Sequence, residues 1–384
     1  MNLDNMIPYG KQDITKRDIE EVVKILQSDF LTQGPTINSF EEVLCGYTGA
    51  KFSTTVNSCT SALHIACLAL DLGPGDILWT SPITFVASAN CAIYCGASVD
   101  FVDIDPDTAL MSVEKLKEKL NNAKKIGKLP KIIVPVHFAG QPCDMKEIYV
   151  LSKEYGFKII EDAAHAIGAR YSGELIGGCQ YSDITVFSFH PVKIITTGEG
   201  GSALTNDKYL ADRMMLYRSH GITRDPELMT ENSKDKWYYE QTCLGFNYRL
   251  TDIQAALGSS QLARINDIVR NRTKIADWYD QNINLGLLSP LTRKENRESS
   301  HHLYVLIIKK GGVDRDKVYR HLIDSGIGVN LHYIPVYRQP YFNMKIRLPG
   351  AEQYYKSAIS LPIFPAIGEK KLSRIVREIE NICK

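Results

Sequence analysis

A surplus of charge of either sign is missing from this 384-residue sequence: 45 Lys and Arg stand against 44 Asp and Glu, a formal net charge of +1. A general nucleic-acid binder would show a basic excess, so nucleic acid is not an expected partner. None of the nine cysteines stands in a CxxC pair, which removes zinc ribbons and thioredoxin-type motifs. Cys91 and Cys95, four residues apart, share a helix face and read as two small buried apolar side chains rather than a metal or redox pair. No His/Cys/Asp cluster has metal-ligand spacing, so no metal is expected. The opening MNLDNMIPYGK has neither the basic start nor the apolar run of a signal peptide, and a reducing cytoplasm is the expected compartment. Internal repeats and low-complexity tracts are absent as well.

A clean hydrophobic span is also missing. The uncharged stretch between Asp76 and Asp100 is long enough to cross a bilayer. It contains Pro82, Gly96, Thr80, Ser81, Thr84, Ser88 and Asn90, and therefore reads as a buried strand, a turn and a buried helix. No membrane association is expected. The seven lysines from Lys115 to Lys131 read as a solvated helix face and loop.

What is present is the composition of a large globular chain, 44% hydrophobic and 23% charged, enough to bury a core without staples. From about residue 50 to 220, short apolar runs alternate with helical patterns. Strands are expected at Ser53–Asn57, Asp76–Thr80, Ser98–Asp103, Lys131–Phe138, Phe157–Glu161, Ile184–Phe189 and Gly201–Thr205. Helices are expected from Ser58 to Leu70 and over Ile83–Tyr94, Ser112–Asn121 and Met145–Glu154. This alternation implies an α/β fold, a mostly parallel sheet with helices on both faces, and ligands beyond the carboxyl ends of the strands. The pattern then changes. A long helix is expected from Ile253 to Tyr279, a linker or surface loop over Thr292–Ser300, strands at His302–Ile308 and Ile327–Tyr333, and helices at Asp316–Ser325 and Glu369–Ile382. The expected division is a large domain of residues 1–265 and a small α+β domain of residues 266–384, with segment 1–25 packing on the small one.

Three signals carry chemistry. Lys193 is the only Lys, Arg, Asp or Glu between Asp183 and Glu199, and it lies between a strand and a Gly-rich turn. An ammonium in such surroundings is costly, so its pKa should fall, and the amine becomes a nucleophile fit for Schiff-base chemistry. The bland alternative is a lysine that snorkels to the surface. Asp162, 31 residues earlier, ends another strand. It reads either as a cap or as the carboxylate that keeps a pyridine nitrogen protonated. Finally, Asn57–Leu63 follows a strand and opens a helix, where free N–H groups, the helix dipole and the hydroxyls of Thr60 and Ser61 suit a phosphate. Ser188 is a further candidate. Together the three signals point to pyridoxal 5′-phosphate.

At these residues the chain resembles the DegT/StrS family of pyridoxal-phosphate-dependent sugar aminotransferases. The resemblance rests on SDFLTQGP (Ser28–Pro35), NSCTSALHIA (Asn57–Ala66), TSPITFVASANC (Thr80–Cys91), DIDP (Asp103–Pro106), PVHFAGQPCDM (Pro135–Met145), EDAAHAIGA (Glu161–Ala169), FSFHPVKIITTGEGG (Phe187–Gly201), RSHGI (Arg218–Ile222), LGFNYRLTDIQAALG (Leu244–Gly258) and LHYIPVY (Leu331–Tyr337). It implies the pyridoxal-phosphate fold type I, similar to aspartate aminotransferase. It implies that Lys193 holds the cofactor as a Schiff base and Asp162 binds its pyridinium nitrogen. His165 would lie near its ring hydroxyl, Phe85 would stack on the ring, and Thr60, Ser61 and Ser188 would hold the phosphate. Asn247 would reach the phosphate of a neighbouring subunit, so a homodimer with shared sites is expected. Tyr9, Asp29, Phe30, Leu31, Thr32, Cys59, Ser188, Asn247, Leu331, His332, Tyr333 and Ile334 would border the sugar-nucleotide pocket. Many relatives have Gly or Ala where this chain has Cys59, and His301 is given no role.

Several blocks resemble the branch of the family that serves pseudaminic acid biosynthesis. That resemblance implies transfer of an amino group from L-glutamate to carbon 4 of a UDP-linked 4-keto-6-deoxy-N-acetylhexose, with pyridoxamine 5′-phosphate between the two half-reactions. Lys193 would carry the proton from the donor's α-carbon. The alternatives are a perosamine or 4-amino-arabinose type of sugar aminotransferase and a non-catalytic relative.

Overall fold

The structure, a computed structural model, describes residues 6–231, 235–283, 286–309, 311 and 313–383. Residues 1–5 of the N-terminal segment lie outside the described residues. A seven-stranded sheet forms the centre, in the order Phe52–Val56, Gly201–Thr205, Ile184–Ser188, Lys158–Asp162, Ile132–Val134, Ile77–Thr80, Ser98–Phe101. The five strands from Ile184–Ser188 to Ser98–Phe101 pair in parallel. Gly201–Thr205 runs antiparallel to both of its neighbours.

The strands are short and apolar because both faces of the sheet are covered. Successive side chains divide between two cores: Ile133, Ile159, Phe187 and Leu204 join one, whereas Ile132, Ile160, Val186 and Ala203 join the other. That is the period of two expected of a pleated strand. The helix Cys59–Ala69 lies in the second core and buries eight of its residues, His64 and Ser61 included. Its apolar face is therefore nearly its whole surface, unlike the narrow stripe of a surface helix.

A third core is built on a three-stranded antiparallel sheet, Leu288–Pro290, Tyr304–Ile308 and Ala358–Leu361, with helices Ile265–Asn282, Arg315–Asp324 and Glu369–Cys383. Ile7, far away in sequence, belongs to this core; its N–H donates to Gly326 O (2.9 Å) and its carbonyl accepts from Gly328 N (2.7 Å).

Four expectations are corrected. The helix expected from Ile253 to Tyr279 is two, Asp252–Leu262 and Ile265–Asn282. At Arg264 the backbone leaves helical dihedrals (φ −118°, ψ 16°), and its guanidinium binds Asp13 and Asp18 Oδ2 (3.0 Å). Of the two readings of Thr292–Ser300, the surface loop agrees with the structure and the free linker does not: Arg297–Glu298 pairs with Arg170–Tyr171, and Arg297 donates to Asp144 Oδ1 (2.9 Å). Ile327–Tyr333 is not a regular strand; it makes single bridges, Ile327 to Ile7 and Asn330 to Ser360, because two different segments flank it. The helix expected from Ile83 begins at Ala87, since the hydroxyls at Thr84 and Ser88 close a turn there (2.7 Å).

Candidate active site

The carboxyl ends of the parallel strands open on one cavity of about 950 Å³. Strands Lys158–Asp162 and Ile184–Ser188 are neighbours, with Asp162 opposite Val186. Asp162 therefore closes its strand at the cavity floor. Its Oδ2 accepts from Ser88 Oγ (2.6 Å) and its Oδ1 from Ala164 N (3.1 Å). Because Ser88 gives its proton to Asp162, the hydroxyl of Thr84 must donate to Ser88 (2.7 Å). Sequence reasoning missed Ser88 and Thr84, although both lie in the TSPITFVASANC block.

Lys193 sits in a turn after Ile184–Ser188, its N–H donating to His190 O (2.9 Å). Thr197 N donates to Phe189 O (3.0 Å) and Phe189 N to Gly200 O (2.9 Å), which folds the Gly-rich segment back onto the strand end. Burial pushes the Lys193 amine down to about 8, against the opposing pull of Cys59 and Asp162. Among the described residues no hydrogen bond or ion pair occupies its Nζ. A substantial share of free amine near neutral pH is what a Schiff-base nucleophile needs.

The anion cradle lies beside it. Ser58 caps the helix Cys59–Ala69, its hydroxyl accepting from Ser61 N (3.1 Å), while Ser61 Oγ donates to Asn57 Oδ1 (2.7 Å). The first-turn N–H groups point out of the helix, as for any helix start, and suit an anion. Gly201 makes the approach possible. A Cβ there would come within 2.6 Å of Cys59 N and 2.8 Å of Ser58 C, so only glycine lets the antiparallel strand pass beneath the helix start. Burial and then Asp162 push the Cys59 thiol well up, so it stays neutral beside the cradle.

The opposite wall is imidazole and phenol. His165 Nδ1 accepts from Ala139 N (3.3 Å), so its proton is on Nε2, which lies 3.3 Å from the Tyr333 oxygen. Burial, with Lys193 and His332 adding to it, holds His165 well below the usual histidine range. His332 is pushed down to about 3 by burial and Lys193. Tyr333 is raised by burial and Asp162. His302, to which the sequence reading assigned no site role, also lines the cavity, with its Nδ1 enclosed and without a hydrogen-bond partner. Nothing in its local sequence distinguishes it from a residue at a strand start.

Of the residues expected at the site, Tyr9, Cys59, Thr60, Ser61, Phe85, Asp162, His165, Ser188, Lys193, Leu331, His332 and Tyr333 line the one cavity. Asp29, Phe30, Leu31, Thr32, Asn247 and Ile334 do not line it. Most of these are exposed and bonded elsewhere: Thr32 bridges Thr251, Leu31 O accepts from Asp252 N (3.0 Å), and Asn247 bridges Ser219. Asn247 meets the cradle where Asn57 Nδ2 donates to its carbonyl (3.5 Å).

The residues in the cavity fit pyridoxal 5′-phosphate: an amine for the aldehyde, a carboxylate for the ring nitrogen, and a glycine-cleared helix start with hydroxyls for the phosphate. With the mostly parallel sheet they define a pyridoxal-phosphate protein of fold type I. The family model described as the DegT/DnrJ/EryC1/StrS aminotransferase family matches residues 12–380, and the chain belongs to this family. It is a pyridoxal-phosphate-dependent sugar-nucleotide aminotransferase. It is 38% identical over 363 residues to the UDP-4-amino-4,6-dideoxy-N-acetyl-beta-L-altrosamine transaminase of Campylobacter jejuni, covering 93% of this chain and 92% of that one. Among solved structures it is similar to PseC of Helicobacter pylori, an aminotransferase involved in the biosynthesis of pseudoaminic acid (TM-score 0.89, 30% identity, 98% of this chain and 99% of that one). It is likewise similar to Spr1654 of Streptococcus pneumoniae in its PLP form (TM-score 0.87, 29% identity, 98% of each chain), a protein also solved in a PMP form.

Proposed function

We propose that this enzyme moves the amino group of L-glutamate to carbon 4 of a UDP-linked 4-keto-6-deoxy-N-acetylhexose in pseudaminic acid biosynthesis. The observation that carries this reading is the near full-length similarity to the Campylobacter transaminase, together with a cavity large enough for a sugar beside the cofactor. Bound pyridoxal phosphate supplies an electron sink for the carbanion formed at the donor carbon. The chain's own residues do the rest. Lys193 would hold the cofactor's aldehyde through its amine and would take up and return a proton at the donor's α-carbon. Asp162 holds the proton on the pyridine nitrogen. His165 would turn its Nε2–H, which meets the Tyr333 oxygen here, to the ring hydroxyl, Phe85 would cover the ring, and Thr60, Ser61 and Ser188 would bind the phosphate. Tyr9, Leu331, His332 and Tyr333 border the sugar.

In this reading the exposed group of Asp29–Thr32 and Asn247 serves the other copy of a homodimer, with Asn247 reaching the partner's phosphate. Their position outside the cavity of their own chain supports that arrangement. The domain division at residue 265 and a cytoplasmic location complete the proposal. Nine free cysteines suit a reducing compartment, and among the described residues no helix is long and apolar enough to cross a membrane.

The test is mass spectrometry of the products formed with glutamate from a panel of UDP-, GDP- and TDP-linked 4-keto sugars. A 4-amino product from the UDP-linked N-acetylated sugar is expected. Preference for a GDP-linked sugar would replace this reading with a perosamine-type one. Borohydride reduction of the loaded protein should tag Lys193 and no other side chain.

A further inference from the structure

Beside His165 in the cavity wall stands a second imidazole that the reaction as described does not use. The rings of His302 and His165 lie 4.3 Å apart, centroid to centroid, tilted by 42°. His302 is 5% exposed, and its Nδ1 has no hydrogen-bond partner. The ring is therefore placed by its backbone and its packing rather than by polar anchors of its own.

That backbone is held from two sides. Arg272, 1% exposed on the helix Ile265–Asn282, donates through Nη1 to the carbonyls of His301 (3.2 Å), His302 (3.3 Å) and Ile363 (3.1 Å). Among the described residues no carboxylate lies within ion-pair distance of it. A guanidinium buried against carbonyls alone is an expensive way to hold a chain segment, and this one is committed to a strap of a few residues. From the cavity side, Ser300 Oγ donates to the carbonyl of His165 (2.8 Å), Ser300 N to Gly140 O (3.2 Å) and Leu303 N to Ala139 O (3.3 Å). Gly140 marks the crossing: a Cβ there would meet Ser300 Oγ at 2.6 Å and His165 O at 3.1 Å. The amide of Ala139 is the donor that fixes Nδ1 of His165. The turn that orients His165 and the strap that carries His302 are thus joined into one unit.

We propose that His302 is a positioning residue: its ring backs the ring of His165 and keeps Nε2 of His165 turned toward the cofactor. The inference rests on the reading of His165 as a neighbour of the cofactor's ring hydroxyl. Because no hydrogen bond among the described residues holds the His302 ring, a ring without nitrogens should do the same work.

The experiment uses the cofactor-loaded enzyme with His302→Ala, His302→Phe, His165→Phe and the double variant His165→Phe/His302→Ala. The readouts are the cofactor dissociation constant and the visible circular dichroism of the bound cofactor. His302→Ala should raise the dissociation constant about fivefold to tenfold and weaken the dichroic band, and in the His165→Phe background it should add nothing further. His302→Phe should restore the constant to within about twofold of the parent, since packing of the ring is retained. Should His302→Ala not fold, His302→Leu, of similar volume but without a flat ring, takes its place in the cycle. The proposal is overturned if His302→Ala changes neither readout, if Phe is as damaging as Ala, or if the two substitutions add in full. A shift from His165→Phe with none from His302→Ala sinks this inference alone. No shift from His165→Phe removes the reading of His165, and this inference with it.

Discussion

Two aspartates in this chain each receive a serine hydroxyl at 2.6 Å, Asp162 from Ser88 and Asp18 from Ser260. Both are at most 5% exposed. They differ in what else reaches them. Asp18 is saturated: Thr15 donates through N (2.8 Å) and Oγ1 (2.9 Å), Gln261 through Nε2 (2.8 Å) and Arg264 through Nη2 (3.0 Å). Among the described residues Asp162 has only one further donor, Ala164 N, and faces a cavity in which Lys193 has no bonded partner. A carboxylate that the fold satisfies completely is structural, because nothing remains for a ligand to complete. One left with open lone pairs toward a cavity keeps capacity in reserve. Exposure alone does not separate the two; the count of donors does.

The sharpest way to test the open site is to remove its amine. Lys193→Ala should lower turnover by at least about 10²–10⁴-fold, the range for loss of a proton-transfer group, and should abolish borohydride tagging. Measurable tagging elsewhere would transfer the role to another lysine. In the unsubstituted protein the free amine is the reactive form, and it gains as pH rises toward about 8. The rate of cofactor capture by the apoprotein, followed by absorbance, should therefore climb with pH up to about 8 and level off above it. A flat profile would mean that the amine is already free at neutral pH.

The next largest effect should come from Asp162→Asn. An amide cannot hold the proton on the pyridine nitrogen, so turnover should fall by about 10²- to 10³-fold, a scale typical of losing one electrostatic stabiliser. The melting temperature should hardly move, because few fold contacts depend on this carboxylate. A large loss of stability with modest loss of turnover would place Asp162 in the same class as Asp18.

How much of this could be read in advance follows the same contrast. The sheet wall was readable, because strand ends and a hydroxyl-rich helix start are local patterns and the resemblance covers their motifs. Lys193 stood out by the absence of other charges around it. The opposite wall was only partly readable. His332 and Tyr333 lie in a motif of the resemblance, but the sequence of their segment reads as a strand, whereas side-chain bonds shape it: Tyr354 OH donates to His332 O (2.6 Å), and His332 Nδ1 pairs with Ser360 Oγ (2.9 Å). Ser88 and His302 reach the cavity only through tertiary packing, and Arg272 reaches the carbonyl of His302 the same way; no periodicity reports that. The break at Ala263–Arg264 was hidden for a related reason. Apolar spacing continues through it, and the cause is a distant pair of aspartates, Asp13 and Asp18.

Gly201→Ala sharpens the comparison on the anion side. The added Cβ would stand 2.6 Å from Cys59 N, closer than real Cβ contacts allow, so the helix start must shift. Cofactor affinity should fall about tenfold, equivalent to about 1.4 kcal/mol, with a stability loss of about 1–3 kcal/mol from overpacking. Equilibrium binding of pyridoxal phosphate and thermal melting measure the two separately. Unchanged affinity would show that the cradle does not depend on that close approach.

The smallest effect on chemistry, and the cleanest counterpart to Asp162, is Asp18→Asn. Asp18 opens the first turn of helix Lys16–Leu26 and ties it to Ser260, Gln261 and Arg264 around the end of helix Asp252–Leu262. Burial opposes its charge, but hydrogen bonds from Ser260 and Thr15 and the Arg264 guanidinium outweigh that, and its pKa is lowered below 3.8. The sign follows directly. A carboxylate with a lowered folded-state pKa contributes stability above its unfolded value and loses it as pH falls through the folded one. Asp18→Asn should therefore cost about 1–3 kcal/mol in urea unfolding, since an amide leaves donors unmatched and the arginine with Asp13 as its one remaining counter-charge. That difference should be constant from about pH 5 to 8 and shrink below about pH 4, where the carboxylate of the unfolded parent chain takes up its proton ahead of the folded one. Turnover per folded molecule at pH 7 should stay within about twofold of the parent, as expected for a site remote from the reacting atoms. A penalty that persists undiminished well below pH 4 would mean that shape and packing at Asp18, rather than its charge, hold the two helices together.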